Sequence, residues 1–123
     1  MTTQEKLEKI VQTLDKKKAQ DIRVIGITNL TIIADYFVIA TGTSTTQVKA
    51  LAGEVEYQLS ECGVEPKSTE GYRSANWIVL DYADIVVHVF YQDTRDEYQL
   101  ERLWADGEQV DISHLLIDEG NAL

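Results

Sequence analysis

Residues 77–91 constrain the fold more than any other stretch of the sequence. They read Trp-Ile-Val-Leu-Asp-Tyr-Ala-Asp-Ile-Val-Val-His-Val-Phe-Tyr, with a polar break at 81–84 between two apolar runs. The runs are rich in β-branched and aromatic residues, which favour a pleated, buried surface, so the pattern predicts two strands joined as a hairpin. Side chains alternate across a strand, and both alternating sets contain large apolar groups. The sheet therefore needs cover on both faces, from the rest of the chain or from a partner.

Length and composition place the chain among ordered, globular proteins. It has 123 residues, of which 44% are hydrophobic and one is proline, enough for one domain with its own core. The sequence has no apolar run of about 18 residues and does not start like a secretory signal. We therefore expect a soluble, cytoplasmic protein without membrane contact. Cys62 is the single cysteine, which excludes an internal disulfide or a thiolate metal cluster.

The acidic balance of the chain bears on its partners. Twenty-one acidic residues against eleven Lys and Arg give a formal net charge of −10. Nucleic-acid binding draws its affinity from contacts of Lys and Arg with phosphate, so we expect little direct contact with nucleic acid. A basic protein partner fits better, because complementary fields steer association. The alternative is that the acidity only keeps the protein soluble.

The first half of the chain predicts a helix and two strands. Thr2 and Glu5 have the spacing of a capping box, and apolar residues at helical spacing follow to about Lys18. Strands are predicted over residues 22–27 and 35–42, where apolar and β-branched residues are bounded by turn residues.

A second amphipathic helix follows the second strand. Ser44 and Gln47 repeat the capping-box spacing, and an apolar stripe runs to Cys62 before Gly63, a left-handed cap. Cys62 lies on that stripe and is predicted to be a small buried hydrophobe. Residues 42–44 precede the helix, where free amides favour an anion, but they lack the glycine spacing and the lysine of a P-loop. An ordinary N-cap requires the same residues.

The second half adds an edge strand and a third helix around the hairpin. The strand is predicted around residues 67–69, and Pro66 keeps it off the centre of the sheet. After the hairpin, Asp93 or Thr94 is predicted to cap a helix that Gly107 ends.

The third helix has an inner face and an outer face. At about 100° per residue, Leu100, Leu103 and Trp104 share one face and Tyr98 points nearly opposite. The predicted fold is therefore α/β, a small mixed sheet of about five strands flanked by three helices. No repeat or linker divides the chain, so we expect a single domain over residues 1–112 and a C-terminal tail over 113–123.

The chemistry-bearing residues do not form a catalytic constellation. Asp81 and Asp84 flank the hairpin turn and could bind a divalent metal in a nucleotidyltransferase or phosphohydrolase, the alternative function. Aspartate is also an ordinary turn residue. His88 lies inside a strand, where a hydrogen-bonded structural role is the simpler interpretation. We predict no enzyme activity and no cofactor.

Aromatic residues in the last half of the chain indicate a binding surface instead. Trp77, Tyr82, Tyr91, Tyr98 and Trp104 are either core or interface anchors. Three helices cover one face of a small sheet fully and the other only in part, which leaves an apolar strip for docking.

Several blocks of the sequence match one family. In chain order they are residues 35–42 (Asp-Tyr-Phe-Val-Ile-Ala-Thr-Gly), Ser44 with 47–48, 70–71, Trp77, 81–82 with Asp84, 87–90 (Val-His-Val-Phe), Arg95, Tyr98 and 100–104 (Leu-Glu-Arg-Leu-Trp). Over about residues 3–112 the chain resembles the ribosomal silencing factor family, also called RsfS, Iojap-like or YbeB. Ala83 stands where many relatives carry glycine, which weakens the expectation of a tight turn there.

The resemblance implies a fold and a function. The fold is similar to nucleotidyltransferases but lacks their activity, and the free protein is usually a homodimer. The function is binding to the fourteenth protein of the large ribosomal subunit (the uL14 family). Occupying that surface blocks the joining of the subunits and represses translation when nutrients are short.

The family's binding surface, carried over to this sequence, implies six partner-binding residues. They are Glu70, Gly71, Trp77, Asp81, Tyr82 and Tyr98. The aromatic members are expected to be desolvated anchors and the carboxylates to accept from Lys or Arg of the partner. Gly71 is expected to allow a close approach of backbones.

Overall fold

The computed structural model describes residues 1–116. The helices are α1 (Thr3–Lys16), α2 (Thr45–Ser60), α3 (Gln92–Tyr98) and α4 (Leu100–Leu103), and a 3-10 helix spans Ser113–Leu115. The strands are β1 (Gln20–Gly26), β2 (Tyr36–Gly42), β3 (Ser68–Glu70), β4 (Trp77–Asp81), β5 (Ile85–Tyr91) and β6 (Glu108–Gln109). Within the described residues, the sheet order is β3-β4-β5-β2-β1-β6.

The sheet is mixed, as the sequence predicts. β2 and β5 are parallel at its centre, and the other neighbours pair antiparallel. Six described strands replace the expected five or so, because the two-residue β6 adds to the edge of β1. The expected edge strand is β3, which pairs with β4 alone among the described strands.

The predicted hairpin is confirmed, with β4 and β5 paired from Trp77 opposite Phe90 to Asp81 opposite Val86. Its turn is tight although it contains alanine. Ala83 has φ of 75°, in the left-handed region, and the amide of Asp84 donates to the carbonyl of Tyr82 at 3.0 Å. The Asp81 carboxylate accepts from the amide of Ala83 at 2.8 Å, an Asx turn that holds this conformation.

The two faces of the sheet are covered differently. The first face packs against α1 and α2 in the main core cluster, which includes Val38, Leu80 and Val87. The second face forms a separate cluster of buried residues around Phe37 and Phe90, capped by Leu100 of α4. Trp77, Val79 and Trp104 are only partly buried beside that second cluster. Both faces of the sheet are therefore covered, but the layer over the second face is thinner.

Side-chain caps fix the starts of the first two helices. Thr2 and Glu5 form the predicted capping box through hydrogen bonds of 2.8 and 3.1 Å. Ser44 caps α2 by accepting from the amide of Gln47 at 3.0 Å. The side-chain Oε1 of Gln47 accepts from the backbone amide of Thr43 at 2.6 Å rather than from that of Ser44, so this end is not the predicted reciprocal box. Two amides at this helix start, those of Thr43 and Gln47, are thus bonded to the chain's own side chains.

The prediction that Cys62 is buried is wrong. The residue is exposed, because α2 ends at Ser60 and the chain turns before the apolar stripe reaches Cys62. Gly63 has φ of 78°, as predicted for a left-handed cap, and the amide of Val64 closes the end by donating to the carbonyl of Leu59.

The third helix begins and breaks where the sequence did not predict. Tyr91 is the N-cap of α3 and makes no side-chain capping bond, so neither Asp93 nor Thr94 caps the helix. Gln99 adopts a left-handed conformation (φ 48°, ψ 53°) and separates α3 from α4. Asp93 is exposed in the first turn of α3, where its charge complements the helix dipole although it does not cap the helix.

The break at Gln99 changes which side chains face inward. Leu100 is buried and Trp104 partly buried, as predicted, but Leu103 is 75% exposed. A constant 100° step does not hold across a residue outside the helical region, so the predicted inner position of Leu103 is wrong. Tyr98 precedes the break and is exposed, as predicted.

The start of the predicted tail packs on the core. Leu115 is buried in the main cluster, as is Ile112, the last residue of the predicted domain. Residues 117–123 of that tail lie outside the described part of the chain. No helix within residues 1–116 is long and apolar enough to cross a membrane.

Candidate aromatic docking site

Six ring-bearing side chains form a connected layer on the second face of the sheet. Trp77 stacks on Phe90 with ring centroids 4.8 Å apart, and Tyr98 lies 5.0 Å from Trp77. Phe37 makes edge-to-face contacts with His88 at 4.8 Å and with Trp104 at 5.2 Å. We call this layer the aromatic face: Phe37, Trp77, His88, Phe90, Tyr98 and Trp104.

The aromatic face is more open over β4 than over β2. Leu100 and Trp104 lie over Phe37, which is buried. Over β4, Trp77 and Val79 are half-buried and Tyr98 is 53% exposed. A contiguous apolar surface of this kind marks an interaction site, and half-exposed aromatic rings are its usual anchors.

Carboxylates border the open part of the aromatic face. Glu70 is the register partner of Val79, and Asp81 is the register partner of Val86. Directly paired residues of antiparallel strands point to the same face, so both carboxylates lie on the side of Trp77. Glu70 is exposed and Asp81 half-buried. The arrangement suits a partner that presents Lys or Arg around an apolar centre.

His88 is held neutral within the aromatic face. Its Nδ1 accepts from Nε1 of Trp77 at 3.1 Å, which fixes the proton on Nε2. The side chain is 6% exposed, and burial lowers its pKa to about 4. Its Nε2 has no hydrogen-bond partner within the described residues, and the ring makes an edge-to-face contact with Phe37. The predicted structural role of His88 is confirmed.

Asp84 is committed to holding α1 against the hairpin. Its carboxylate accepts from Nζ of Lys6 at 2.7 Å and from the hydroxyl of Thr3 at 2.6 Å. Burial alone would raise the pKa of Asp84, but the bonds from Lys6 and Thr3 outweigh it and keep that pKa below its usual value. Asp81 meanwhile binds the turn amide. Both carboxylates are therefore engaged by groups of the chain itself, and residues 1–116 contain no group of three or more His, Cys, Asp and Glu that could hold a metal ion, so nothing in them supports the metal site of the alternative function.

Comparison with known proteins decides the family. The family model described as ribosomal silencing factor during starvation matches residues 1–122. The chain belongs to this family. The resemblance seen in the sequence is thereby confirmed, and its blocks lie mainly on β2, on the hairpin and on the segment that covers the second face.

Three similar proteins show how far the likeness extends. The ribosomal silencing factor RsfS of Halalkalibacterium halodurans is 40% identical over 94% of this chain and 99% of its own length. A crystal structure of a Chromobacterium violaceum protein superposes with a TM-score of 0.83 at 36% identity, covering 92% of this chain and 93% of that one. The Mus musculus protein named mitochondrial assembly of ribosomal large subunit protein 1 is 33% identical over 80% of this chain, but over 44% of its own length.

Four of the six residues implied by the family's binding surface lie together in the structure. Glu70, Trp77, Asp81 and Tyr98 belong to or border the aromatic face. Gly71 adjoins them for an internal reason. Its φ is 91°, and a Cβ there would lie 2.0 Å from the carbonyl oxygen of Trp77. The close backbone approach expected at Gly71 is thus one within the chain itself.

Tyr82 lies on the other side of the sheet. It is 5% exposed and packs in the main core cluster, because it follows Asp81 and side chains alternate along the strand. Burial raises the pKa of its hydroxyl, and the nearby carboxylates of Glu56 and Glu65 add to the effect. The expectation that this ring is uncovered is therefore corrected: Tyr82 supports the hairpin from the core.

Sequence reasoning missed three members of the aromatic face, Phe37, His88 and Phe90. Val79 and His88 are register partners and share the face of Trp77. The sequence contains the information that places His88, since the length of the hairpin turn fixes which residues of the two strands lie opposite each other. The position of Phe37 beneath Trp104 needed the path of the chain after Gln99, which no local pattern gives.

Proposed function

We propose that this chain binds the fourteenth protein of the large ribosomal subunit, of the uL14 family, through its aromatic face. Occupying that surface blocks the small subunit from joining and represses translation under nutrient limitation. The observation that carries the proposal is the half-open pair of Trp77 and Tyr98 beside Glu70 and Asp81. Membership of the ribosomal silencing factor family supports it, and one relative is named for assembly of the large subunit.

The chemistry of the surface fits a basic protein rather than bare RNA. The chain has a formal charge of −10, and carboxylates at the rim pair with Lys or Arg while repelling phosphate. The proposed mechanism is steric. It requires an affinity sufficient to compete with subunit joining, and it requires no catalytic group or cofactor. The proposed place of action is the cytoplasm, where the subunits meet.

We also propose that the free protein is a homodimer that covers the same face. Aromatic rings left half-exposed in a monomer favour self-association, and a symmetric dimer would bury Trp77 and Tyr98 against a second copy. Binding to the ribosome and dimerisation then compete. Sedimentation equilibrium of the free protein tests this: a dimer that Tyr98→Ala dissociates supports the proposal, and a monomer at every concentration contradicts it.

The direct test is co-sedimentation of variants with purified large subunits. We expect Trp77→Ala to weaken binding by about 2 kcal/mol or more, which is about thirtyfold. Tyr98→Ala should weaken it as well, and within residues 1–116 the Tyr98 side chain contacts the Trp77 ring but makes no hydrogen bond that the variant would remove. Tyr57→Ala is the matched control, because Tyr57 is equally exposed but lies on α2, across the sheet.

Two readouts complete that experiment. Circular dichroism and a urea titration confirm that Trp77→Ala is folded, since it also removes the hydrogen bond to His88. Sucrose-gradient sedimentation of mixed subunits then shows whether the wild-type chain prevents joining. The proposed function is contradicted if Trp77→Ala is folded and still binds with wild-type affinity. It is also contradicted if the two ribosomal subunits join normally in the presence of excess wild-type chain.

A further inference from the structure

The loop between β1 and β2, residues 27–35, exposes large aliphatic side chains. Ile32 is fully exposed, Ile33 is 66% exposed, and Leu30 is exposed as well. Single exposed aliphatics are common on protein surfaces. Three within four positions form a local apolar patch, which marks a contact with another molecule.

Hydrogen bonds hold this loop in one conformation. The amide of Ile27 donates to the carbonyl of Asp35 at 2.9 Å and closes its base. The amides of Leu30 and Thr31 both donate to the carbonyl of Ile27, at 2.9 and 3.1 Å. The amide of Ile33 donates to the hydroxyl of Thr31 at 3.1 Å. A loop ordered in this way presents its side chains with little further loss of entropy on binding.

The loop continues the aromatic face at the end opposite Tyr98. Ile27 and Ala34 bracket the exposed residues and are buried in the second-face cluster, together with Val86. Val86 and Phe90 are four residues apart on β5, about 13 Å along the strand, and Trp77 and Tyr98 lie at the Phe90 end. The amide of Asp35 also donates to the carbonyl of Asp84 at 2.8 Å, which ties the loop to the hairpin turn.

Acidic residues lie beside the patch as they do at the rim of the aromatic face. A groove at the base of the loop is lined by Leu30 together with Asp106 and Glu108. The patch therefore complements an apolar recess in a basic protein, the same chemistry that fits the aromatic face.

We propose that residues 30–33 are a second contact for the protein partner of the aromatic face, inserting Ile32 and Ile33 into an apolar recess of that partner. This inference rests on the proposed function and extends it. The docking surface then runs from Tyr98 through Val79 and Val86 to the loop. Two separated anchor points fix the orientation of the bound chain, which a steric block requires.

The experiment measures binding of loop variants to purified large subunits. We expect the double variant Ile32→Ser, Ile33→Ser to bind at least about tenfold more weakly, because two aliphatic side chains lose their apolar contact. The double variant Ile32→Leu, Ile33→Leu keeps the apolar surface and should bind within about threefold of wild type. Tyr57→Ser is the control for loss of an exposed apolar residue elsewhere. Both positions are exposed, so the fold should persist, and a urea titration checks this.

The possible outcomes separate the two proposals. Weak binding of Trp77→Ala with wild-type binding of the serine double variant overturns the loop contact and leaves the proposed function standing. No binding of the wild-type chain to large subunits overturns the proposed function and the loop contact together. If the serine double variant keeps its affinity for large subunits but no longer forms a homodimer, the loop contacts a second copy of the chain. If it keeps that affinity but no longer floats with neutral lipid vesicles, as the wild-type chain then would, the loop contacts a membrane. Either result overturns the inference. The inference is supported if the serine double variant binds large subunits more weakly while the leucine double variant and Tyr57→Ser bind like the wild type.

Discussion

At the scale of single residues, His88 ties the stability of the chain to pH. Its pKa is lowered to about 4 by burial, and its Nδ1 accepts from Trp77, which a protonated ring cannot allow. The ordinary pKa of histidine is about 6.5. The neutral form is therefore favoured by folding, so this stabilisation is complete above about pH 6.5 and is lost as the pH falls toward about 4.

We expect the free energy of unfolding to fall by roughly 2 kcal/mol between about pH 7 and pH 4.5 through His88 alone. Urea titrations at several pH values measure it, and His88→Gln should remove this part of the pH dependence while costing stability at neutral pH. The control is His114→Gln, because His114 is exposed. A wild-type and a His88→Gln curve that stay parallel down to about pH 4.5 would show that the imidazole does not titrate in this range.

At the scale of elements, the β4–β5 turn stores conformational strain. Ala83 sits at φ 75° in a three-residue turn, a conformation that is uncommon for residues with a Cβ. Its side chain is exposed, so its methyl group has little packing to lose. We expect Ala83→Gly to raise the free energy of unfolding by about 1 kcal/mol. Ala50→Gly, at an exposed position inside α2, should lower it by a similar amount.

Thermal or urea unfolding of both variants tests this pair of opposite effects. Destabilisation by glycine at both sites would mean that the Asp81 bond to the turn amide already relieves the strain at Ala83. Binding to large subunits should stay unchanged in either variant, because neither side chain belongs to the aromatic face or to the loop of residues 27–35.

Elements with a strong local pattern could be predicted, and those set by the path of the chain could not. The hairpin, α1, α2 and the glycine cap at Gly63 follow from β-branched runs, helical spacing and turn chemistry, all of which are local. The broken third helix depends on the left-handed Gln99. That break is held by buried Arg95, which bonds Glu101 on one side and Thr41 on the other. The bond to Thr41 joins residues distant in sequence, and no spacing rule anticipates it.

The candidate site divides in the same way. Trp77 and Tyr98 could be singled out from residue type and helical phase, and the family resemblance added Glu70 and Asp81. The expectation for Tyr82 failed because it was carried over from the family resemblance, although alternation along β4 places its side chain on the face opposite to Trp77 and Asp81. The exposed loop aliphatics Leu30, Ile32 and Ile33 were missed because a short apolar run beside a strand is the usual sign of burial.

At the scale of the whole molecule, the charge is unevenly distributed. Residues 1–19 contain five lysines and three acidic residues, a side-chain charge of +2, which leaves −12 for residues 20–123. α1, which spans most of that basic stretch, packs on the first face of the sheet, away from Trp77 and Tyr98. The aromatic face and the loop thus belong to the acidic part of the chain, and a basic partner is oriented toward them by long-range attraction.

This polarity predicts how salt affects binding to the large subunit. Raising the ionic strength from about 0.1 to 0.5 M shortens the screening length from about 10 Å to about 4 Å, so we expect affinity to fall by about tenfold, mostly through slower association. The double variant Glu70→Gln, Asp81→Asn should bind more weakly at low salt and show a smaller decrease, and asparagine keeps the acceptor for the Ala83 amide. Glu8→Gln, Glu61→Gln removes the same charge from the α1 and α2 side and should keep most of the wild-type salt dependence. If both double variants lose the same amount of salt dependence, the salt effect comes from net charge and the prediction is wrong. A local effect would be lost only when the carboxylates that border the aromatic face are removed.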